Sequence, residues 1–266
     1  MLIPDDFTTL ALLSGGLVAL LCSYLGMFVV LRRIVFVGAS LAQASSAGVA
    51  LATFMAWPPM VGAILAMLVG VGIFSHDPPR RRIPGESVVG AAYAAAGAAG
   101  VLFMAFAPQG EADMMHLFFG NILGVTPGEI GVMAGLFALL ALVHALFAKE
   151  FLLVAFDPDM AQTLGYRVPA WNFLFFLTLG TALAVAVHAA GVLLVFSMLV
   201  FPPLVGLQAS RSWRPACVAS VLSALVSVAV GVWVSLRWDL PTGAAIVMAA
   251  CGLFLAASGV RALRRG

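Results

Sequence analysis

The chain alternates long apolar runs with short polar breaks. Nine of these runs approach the length of about 20 residues that a helix needs to cross a bilayer. They cover residues 7–31, 36–54, 58–75, 85–107, 127–147, 171–188, 191–208, 215–236 and 242–260. The sixth and seventh runs are divided because one helix over 171–208 would extend roughly 57 Å, against a hydrocarbon core of about 30 Å. We therefore predict a tight hairpin at "HAAG", 188–191, and about nine transmembrane helices, or eight without this break.

Composition turns this pattern into a fold class. Of 266 residues, 63% are hydrophobic and 9% are charged, whereas about 25% of the residues of an average soluble domain are charged. We expect an all-α, polytopic membrane protein in which residues 1–266 form a single transmembrane domain in contact with membrane lipid. The net charge of +2 is too small to indicate nucleic-acid binding.

The basic residues are distributed unequally between the two sets of loops. With nine alternating spans, 12 of the 13 Lys and Arg residues fall on one side. These twelve are Arg32, Arg33, Arg80, Arg81, Arg82, Lys149, Arg167, Arg211, Arg214, Arg261, Arg264 and Arg265. Only Arg237 falls on the other side. Cytoplasmic loops are enriched in Lys and Arg, so we predict an external N-terminus and a cytoplasmic C-terminus.

The long loop on the predicted outer side has local structure of its own. Its apolar segment 114–124 is too short to cross the bilayer and is predicted to form a re-entrant or interfacial helix. Thr126, Pro127 and Glu129 follow with the spacing of N-cap, N1 and N3 residues. They predict a well-formed start for the fifth span.

The longest loop on the predicted inner side also contains a helix signal. Asp157 or Asp159 is placed to cap a short helix that stops at Gly165. A short helix in the largest cytoplasmic loop is a natural docking surface for another protein.

The sequence offers no catalytic centre. It contains no HExxH motif, no Ser and His pair with protease spacing, and no pair of acidic residues inside a span. A P-loop requires Gly-Lys-Ser/Thr after a Gly-rich turn, but the only lysine, Lys149, lies between Ala148 and Glu150. We therefore expect neither an enzyme nor a cofactor bound by this chain. Any work driven by ATP requires a separate nucleotide-binding chain.

The second span is built almost wholly of small residues around one amide. Gln43 lies ten residues after Arg33, which places it roughly 15 Å along a helix and near the bilayer midplane. Polar groups at that depth face a bundle interior or a water-filled path. Small residues such as Ala42, Ser45 and Ser46 also allow helices to pack closely. The pattern therefore fits both a path wall and an interhelical contact.

Four segments, in order and spread over most of the chain, resemble one family. "GMFVVLRRIVFVGASLAQASSAGVALA", 26–52, is similar to the family's first-loop and second-helix signature, and "HLFFGNILGVTPGEI", 116–130, to its outer short-helix segment. "FDPDMAQTLGYRV", 156–168, resembles its cytoplasmic coupling segment, and "GVLLVFSMLVFPPLVG", 191–206, its late apolar motif. The family is that of the membrane permease subunits of ATP-binding-cassette importers for zinc, manganese and iron.

This resemblance implies an assembly and a location. The expected assembly has a helical fold like that of the larger vitamin-type importers, with two copies of the permease around a central path. Two ATPase subunits hold ATP on the cytoplasmic side, and a metal-binding protein lies outside. The membrane is the inner or plasma membrane of a bacterium, and the cargo is a divalent metal. The implied coupling residues are Asp157, Pro158, Asp159, Ala161 and Gly165.

One departure from the family concerns metal ligands in the second helix. Family members that move divalent cations commonly carry Asp and, four residues later, His, which puts both side chains on one helix face. Here Ala39 and Gln43 occupy those positions, and with Ser46 they are our candidate path residues. Three explanations remain: weak transient ligands helped by water and carbonyls, ligands recruited from elsewhere, or a cargo such as a chelate.

Two histidines near the outer side are the candidate metal ligands. His188 lies at the outer end of the sixth span, and His116 lies in the outer segment. The leading hypothesis is a permease that moves a divalent metal, zinc or manganese, by alternating access. The alternatives are a permease for a metal chelate or another small solute, and a membrane assembly protein with no conduction path.

Overall fold

A computed structural model describes residues 6–75, 85–106 and 124–263. Over these residues the chain forms eleven α-helices and no β-strand. The helices are α1 (Asp6–Leu31), α2 (Val35–Phe54), α3 (Pro59–Ser75), α4 (Gly85–Ala105), α5 (Pro127–Leu146), α6 (Ala148–Phe156), α7 (Pro158–Thr163), α8 (Val168–Ala190), α9 (Val192–Ala209), α10 (Trp213–Trp238) and α11 (Thr242–Leu263). The predicted all-α class is confirmed.

Nine of these helices correspond to the nine predicted spans. Eight are long and apolar enough to cross a membrane. The ninth, α3, has 17 residues, which is about 26 Å of helix and lies at the lower limit for a span. The polytopic architecture is therefore confirmed. The predicted outer helix covers 114–124, and all of these residues except residue 124 lie outside the described part of the chain.

α8 and α9 are separated by Gly191 alone, so the chain breaks within the predicted segment 188–191. The φ of Gly191 is 78°, a left-handed conformation that glycine adopts without a Cβ penalty. α8 begins at Val168 rather than at residue 171, because Pro169 in the first turn has the fixed φ that suits a helix start. The break between the two spans is thus real and is one residue long.

Small residues pack the centre of the bundle, where α2 contacts α3, α4, α8 and α9. A Cβ added to Gly48 would overlap the carbonyl oxygen of Gly62 in α3, and a Cβ on Gly62 would overlap that of Gly48. Gly38 gives similar room to Leu199 of α9. By contrast, α4, α5 and α11 are the least buried of the candidate spans. The described bundle is therefore tight around α2 and thinly covered at its edge.

Candidate translocation path and coupling loop

The three candidate path residues of α2 all lie inside the bundle. Ala39, Gln43 and Ser46 expose only 5%, 6% and 3% of their surfaces. Their spacing of four and then three residues puts them on one side of the helix. Val49 and Thr53 continue this side toward the end of α2. We refer to these five residues as the α2 stripe.

Gln43 lies against α4. Its Nε2 atom is 3.0 Å from the position that a Cβ of Gly97 would take, so glycine at this position leaves room for the amide. One turn further on, Ala47 contacts Gly100 in the same way. Within one copy of the chain, the middle of α2 is therefore covered on this side by a single glycine-lined helix.

A cavity of about 620 Å³ opens where the ends of five helices meet. The ends of α2, α4 and α8 and the beginnings of α3 and α5 form its walls. Its lining residues are Val49, Thr53, Pro59, Met60, Met104, Gly124, Val125, Gly128, Glu129, Val132, Met133, Val185, His188 and Ala189. We name it the outer cavity, because these helix ends belong to the predicted outer side.

The outer cavity adjoins the α2 stripe. Val49 and Thr53 belong to both. Val49 follows Gln43 by six residues, or about 9 Å along the helix axis, and Ser46 lies between them. The stripe therefore leads from the cavity wall to the predicted mid-bilayer position of Gln43.

Of the described residues that line the outer cavity, Glu129 and His188 have ionisable side chains. His188 is half-buried in the last turn of α8. Glu129 completes the predicted capping box: its Oε2 accepts from the backbone N–H of Thr126 at 2.8 Å and from Oγ1 of Thr126 at 3.0 Å. The N–H of Glu129 donates to Oγ1 of Thr126 at 3.3 Å. The other candidate ligand, His116, lies outside the described residues.

The described residues do not form a complete set of side-chain metal ligands. Among the residues that the structure describes, no group of three or more His, Cys, Asp or Glu side chains is arranged to hold a metal ion. Ala39 and Gln43 bring neither a carboxylate nor an imidazole to the middle of α2. The polar side chains of the α2 stripe are therefore the amide of Gln43 and the hydroxyl groups of Ser46 and Thr53.

The predicted cytoplasmic helix is present as α7, and its beginning is capped. Oδ1 of Asp157 accepts a hydrogen bond from the backbone N–H of Met160 at 2.9 Å. Pro158 follows at the first helical position. Asp159 is exposed in the first turn. Of the two aspartates proposed from the sequence, Asp157 is the cap.

The end of α7 is also fixed by its backbone. Gly165 has a φ of 87°, and its N–H donates to the carbonyl of Gln162 at 3.0 Å. The N–H of Tyr166 donates to the carbonyl of Ala161, also at 3.0 Å. These two bonds form a Schellman motif, so the predicted stop at Gly165 is confirmed.

The side chains of this loop divide between the bundle and the surface. Ala161 is fully buried and seats α7 on the body of the protein. Phe156, the last residue of α6, and Met160 and Leu164 at α7 are 61%, 52% and 59% exposed. Met160 and Leu164 are four residues apart, which puts them on one side of α7. Exposed apolar patches mark interaction surfaces. We did not identify these three residues from the sequence, although three large apolar residues next to the two aspartates can be seen there.

Arg32 joins the end of α1 to the beginning of α8 on the predicted inner side. Its Nη1 donates to Oδ1 of Asn172 at 3.1 Å, and its Cζ lies 4.4 Å from the centroid of the Phe175 ring. Nε and Nη2 are buried with no hydrogen-bond partner among the described residues. Burial lowers the pKa of the guanidinium to about 10, so Arg32 stays charged at neutral pH. It ties α1 to the helix that follows the coupling loop.

Comparisons with known proteins agree on the class of protein. The sequence pattern of the ABC 3 transport family matches residues 4–261. The chain is 28% identical over 254 residues to the manganese transport system membrane protein MntC of Halalkalibacterium halodurans, which covers 95% of this chain and 87% of that protein. It is 27% identical over 246 residues to the manganese import system permease protein ScaB of Streptococcus parasanguinis, which covers 92% and 87%. The solved structure of PsaBC from Streptococcus pneumoniae in complex with Fab shares the fold, with a TM-score of 0.86, 24% identity and coverage of 96% and 91%.

Proposed function

Because this chain belongs to the ABC 3 transport family, we propose that it is the permease subunit of an ATP-binding-cassette importer for a divalent metal ion. Manganese is the first candidate cargo, since the similar proteins MntC and ScaB carry manganese transport in their names. Zinc is the second. The proposed mechanism is alternating access across a bacterial inner or plasma membrane, with the N-terminus outside and the C-terminus in the cytoplasm.

The observation that carries this proposal is that Val49 and Thr53 of the α2 stripe line the outer cavity. A path for a hydrophilic cargo needs an open mouth and a wall that is not purely apolar at mid-bilayer depth. The outer cavity is the proposed mouth, and Ser46 and Gln43, which are buried within this copy of the chain, are the proposed polar groups below it. A protein that served only to anchor others in the membrane has no need of this arrangement.

The proposed importer contains further chains. Because the sequence contains no Gly-Lys-Ser/Thr motif, we assign ATP binding and hydrolysis to partner ATPase subunits. A second copy of this chain completes the path, and a metal-binding protein outside the cell delivers the cargo. The thinly covered helices α4, α5 and α11 leave apolar surface for lipid and for the second copy.

We assign the contact with the ATPase to α7. Met160 and Leu164 present apolar side chains to the cytoplasmic side, while Asp157 and Gly165 fix the shape of the helix beneath them. Ala161 is buried and holds the helix on the bundle. Closure of the ATPases on ATP would then push on a small, rigid element and change access to the path.

Co-purification with the ATPase tests this contact. We expect Met160→Ala with Leu164→Ala to weaken ATPase binding by about 2 kcal/mol or more, or roughly 30-fold, because few buried apolar side chains dominate most interfaces. Gln162→Ala is the matched control, since Gln162 is exposed on the same helix and polar. Unchanged binding by the double variant would show that α7 is not the coupling surface.

Uptake measurements test the cargo. The permease and its ATPase are reconstituted in proteoliposomes with the metal-binding protein, and ATP-dependent uptake of radioactive manganese and zinc is measured separately. Uptake of either ion supports the proposal. A metal chelate is a second candidate, because Ala39 and Gln43 replace charged ligands and the outer cavity of about 620 Å³ has the size of a small-molecule pocket. If only a chelate is taken up, the cargo is the chelate and not the bare cation.

Restoring charged ligands in α2 tests whether this helix lines the path. Ala39→Asp with Gln43→His puts a carboxylate and an imidazole on one helix face. We expect at least about a tenfold rise in affinity for manganese or zinc, or an ion trapped during transport. Ala39→Asn with Gln43→His lacks the carboxylate and serves as the control. If neither binding nor transport differs between the two pairs, α2 does not line the path.

A further inference from the structure

The outer cavity is lined by a carboxylate and an imidazole, which are both common metal ligands. Resting on the proposed function of the chain as a metal permease, we propose that Glu129 and His188 form a transient binding site for a divalent first-row cation. The ion occupies this site after release by the external metal-binding protein and before it meets the α2 stripe. The site is distinct from positions 39 and 43, where the family commonly has its ligands.

The two side chains are suitable ligands. His188 lines the cavity from the end of α8, and Glu129 lines it from the beginning of α5. In the capping box the hydrogen bonds of Glu129 go to Oε2, which leaves Oε1 outside that motif. Carboxylate oxygen suits manganese, and imidazole suits zinc and iron. This pair therefore fits the same ions as the proposed cargo.

The helix ends around the cavity add negative potential. The last turns of α2, α4 and α8 contribute Thr53, Met104 and His188 to the wall. The final four carbonyl groups of a helix have no partner inside it, and this end carries a partial negative charge that favours cations. Three such ends meet at one cavity. They add electrostatic attraction to the two side chains.

Positive helix ends oppose this attraction. α3 and α5 begin at the cavity, α9 begins one residue after the end of α8, and the N-terminus of a helix repels cations. Glu129 itself offsets this effect at α5, because it accepts the hydrogen bonds of the cap there. None of the fourteen lining residues, all in the described part of the chain, is Lys or Arg. The balance of charge in the outer cavity therefore favours a cation.

The two side-chain ligands also suit transient binding of an ion rather than long-lived binding. Conduction requires binding that is strong enough for entry and weak enough for release. With two side-chain ligands, the remaining coordination positions of the ion go to carbonyl groups and water. We expect this site to bind an ion less tightly than a complete cage of side-chain ligands.

Direct binding of the metal alone tests the site. The purified complex of permease and ATPase, without nucleotide, is placed in lipid nanodiscs and titrated with radioactive manganese and, separately, zinc. The variant combines Glu129→Gln and His188→Gln. Gln also closes a capping box, so the beginning of α5 is retained while the carboxylate is lost.

A matched control removes a carboxylate from the same predicted side outside the cavity. Asp239 is an exposed C-cap of α10 with a φ of 52°, and Asn tolerates this left-handed conformation. Asp239→Asn therefore removes one negative charge without disturbing the chain. Thermal unfolding of both variants, compared with the unaltered complex, verifies that the fold is intact.

We expect the double variant to lose affinity for manganese or zinc by about tenfold or more, because removing even an outer partner of a metal ligand costs 10–100-fold. The control is expected to bind as the unaltered complex does. Equal binding by all three proteins overturns the site, and so does an equal loss in the control and the double variant. Uptake is measured separately. If uptake persists although this binding is not found, the proposed site is wrong while the importer proposal stands.

Discussion

His144 and His188 each lie in the last turn of a long apolar helix, at opposite ends of the bundle. His144 is 1% exposed, its ring is stacked on Phe151 with centroids 4.4 Å apart, and its Nε2 lies 3.0 Å from Oγ1 of Thr178. His188 is half-buried and lines the outer cavity. One imidazole is packed as part of the core, and the other faces open space.

Two histidines at the same position on their helices therefore have different environments, which depend on what surrounds each helix end. At the inner end, Tyr24, Phe28 and Phe175 surround His144 edge-on. Such aromatic contacts fix side chains in place and contribute beyond the area that they bury. At the outer end, helix ends diverge around a cavity. In our proposal the predicted inner end is rigid beside the candidate coupling loop, and the predicted outer end receives a ligand.

Truncating His144 gives the largest expected effect. We expect His144→Ala to lower the free energy of unfolding by about 2–5 kcal/mol, because it leaves a cavity among packed rings. His144→Phe preserves the aromatic volume and is expected to cost less than about 1.5 kcal/mol. Denaturant unfolding of the purified protein in detergent measures both. Equal losses for the two variants would mean that the hydrogen bond to Thr178, not the packing, holds the inner end.

The contact between α2 and α3 gives the next largest effect. We expect Gly48→Ala to destabilise the protein by about 1–3 kcal/mol, since its Cβ meets the carbonyl oxygen of Gly62. Gly72→Ala in α3 is the control, because nothing lies within 4 Å of the added Cβ. The melting temperature should fall for the first and not for the second. Two equal melting temperatures would contradict the tight centre.

The ends of α7 give a smaller, local effect. Gly165→Ala forces a left-handed conformation that costs a residue with a Cβ about 1–2 kcal/mol. Asp157→Ala removes the cap, at about 1 kcal/mol. We expect affinity for the ATPase to fall in that order while the melting temperature of the bundle hardly changes. A large fall in melting temperature would place α7 in the core of the fold instead.

The smallest effect on stability is expected at the outer cavity. His188 is half-buried and lines open space, so we expect His188→Ala to change the free energy of unfolding by less than about 0.5 kcal/mol. The contrast with His144→Ala is the sharpest test of the comparison between the two ends. A loss of several kcal/mol at His188 would mean that the outer end is as tightly packed as the inner one.

Periodic and local signals in the sequence predicted most of the fold. The spans, the break at Gly191, the cap at Thr126 and the short helix from Asp157 to Gly165 all follow from residues that are neighbours along the chain. Each of these features is decided by hydrophobic length or by a hydrogen bond between residues a few positions apart. The family resemblance carried by four motifs is confirmed by the match over residues 4–261.

The contacts of the candidate site were not accessible in the same way. Glu129 was recognised only as a cap, because nothing in the sequence shows that the end of α8 places His188 on the same cavity. The fit of Gln43 against Gly97 likewise depends on which helix packs beside α2. Such pairings join residues far apart in the chain. They are set by the three-dimensional packing of whole helices rather than by local pattern.

The meeting of Gly48 and Gly62 has a consequence for motion. Backbone lies directly against backbone at this crossing, so α2 and α3 have little room there to shift relative to one another. We therefore expect the two helices to move together when the protein changes shape. The displacement that alternating access requires is then expected away from this crossing, at a thinly covered helix such as α5.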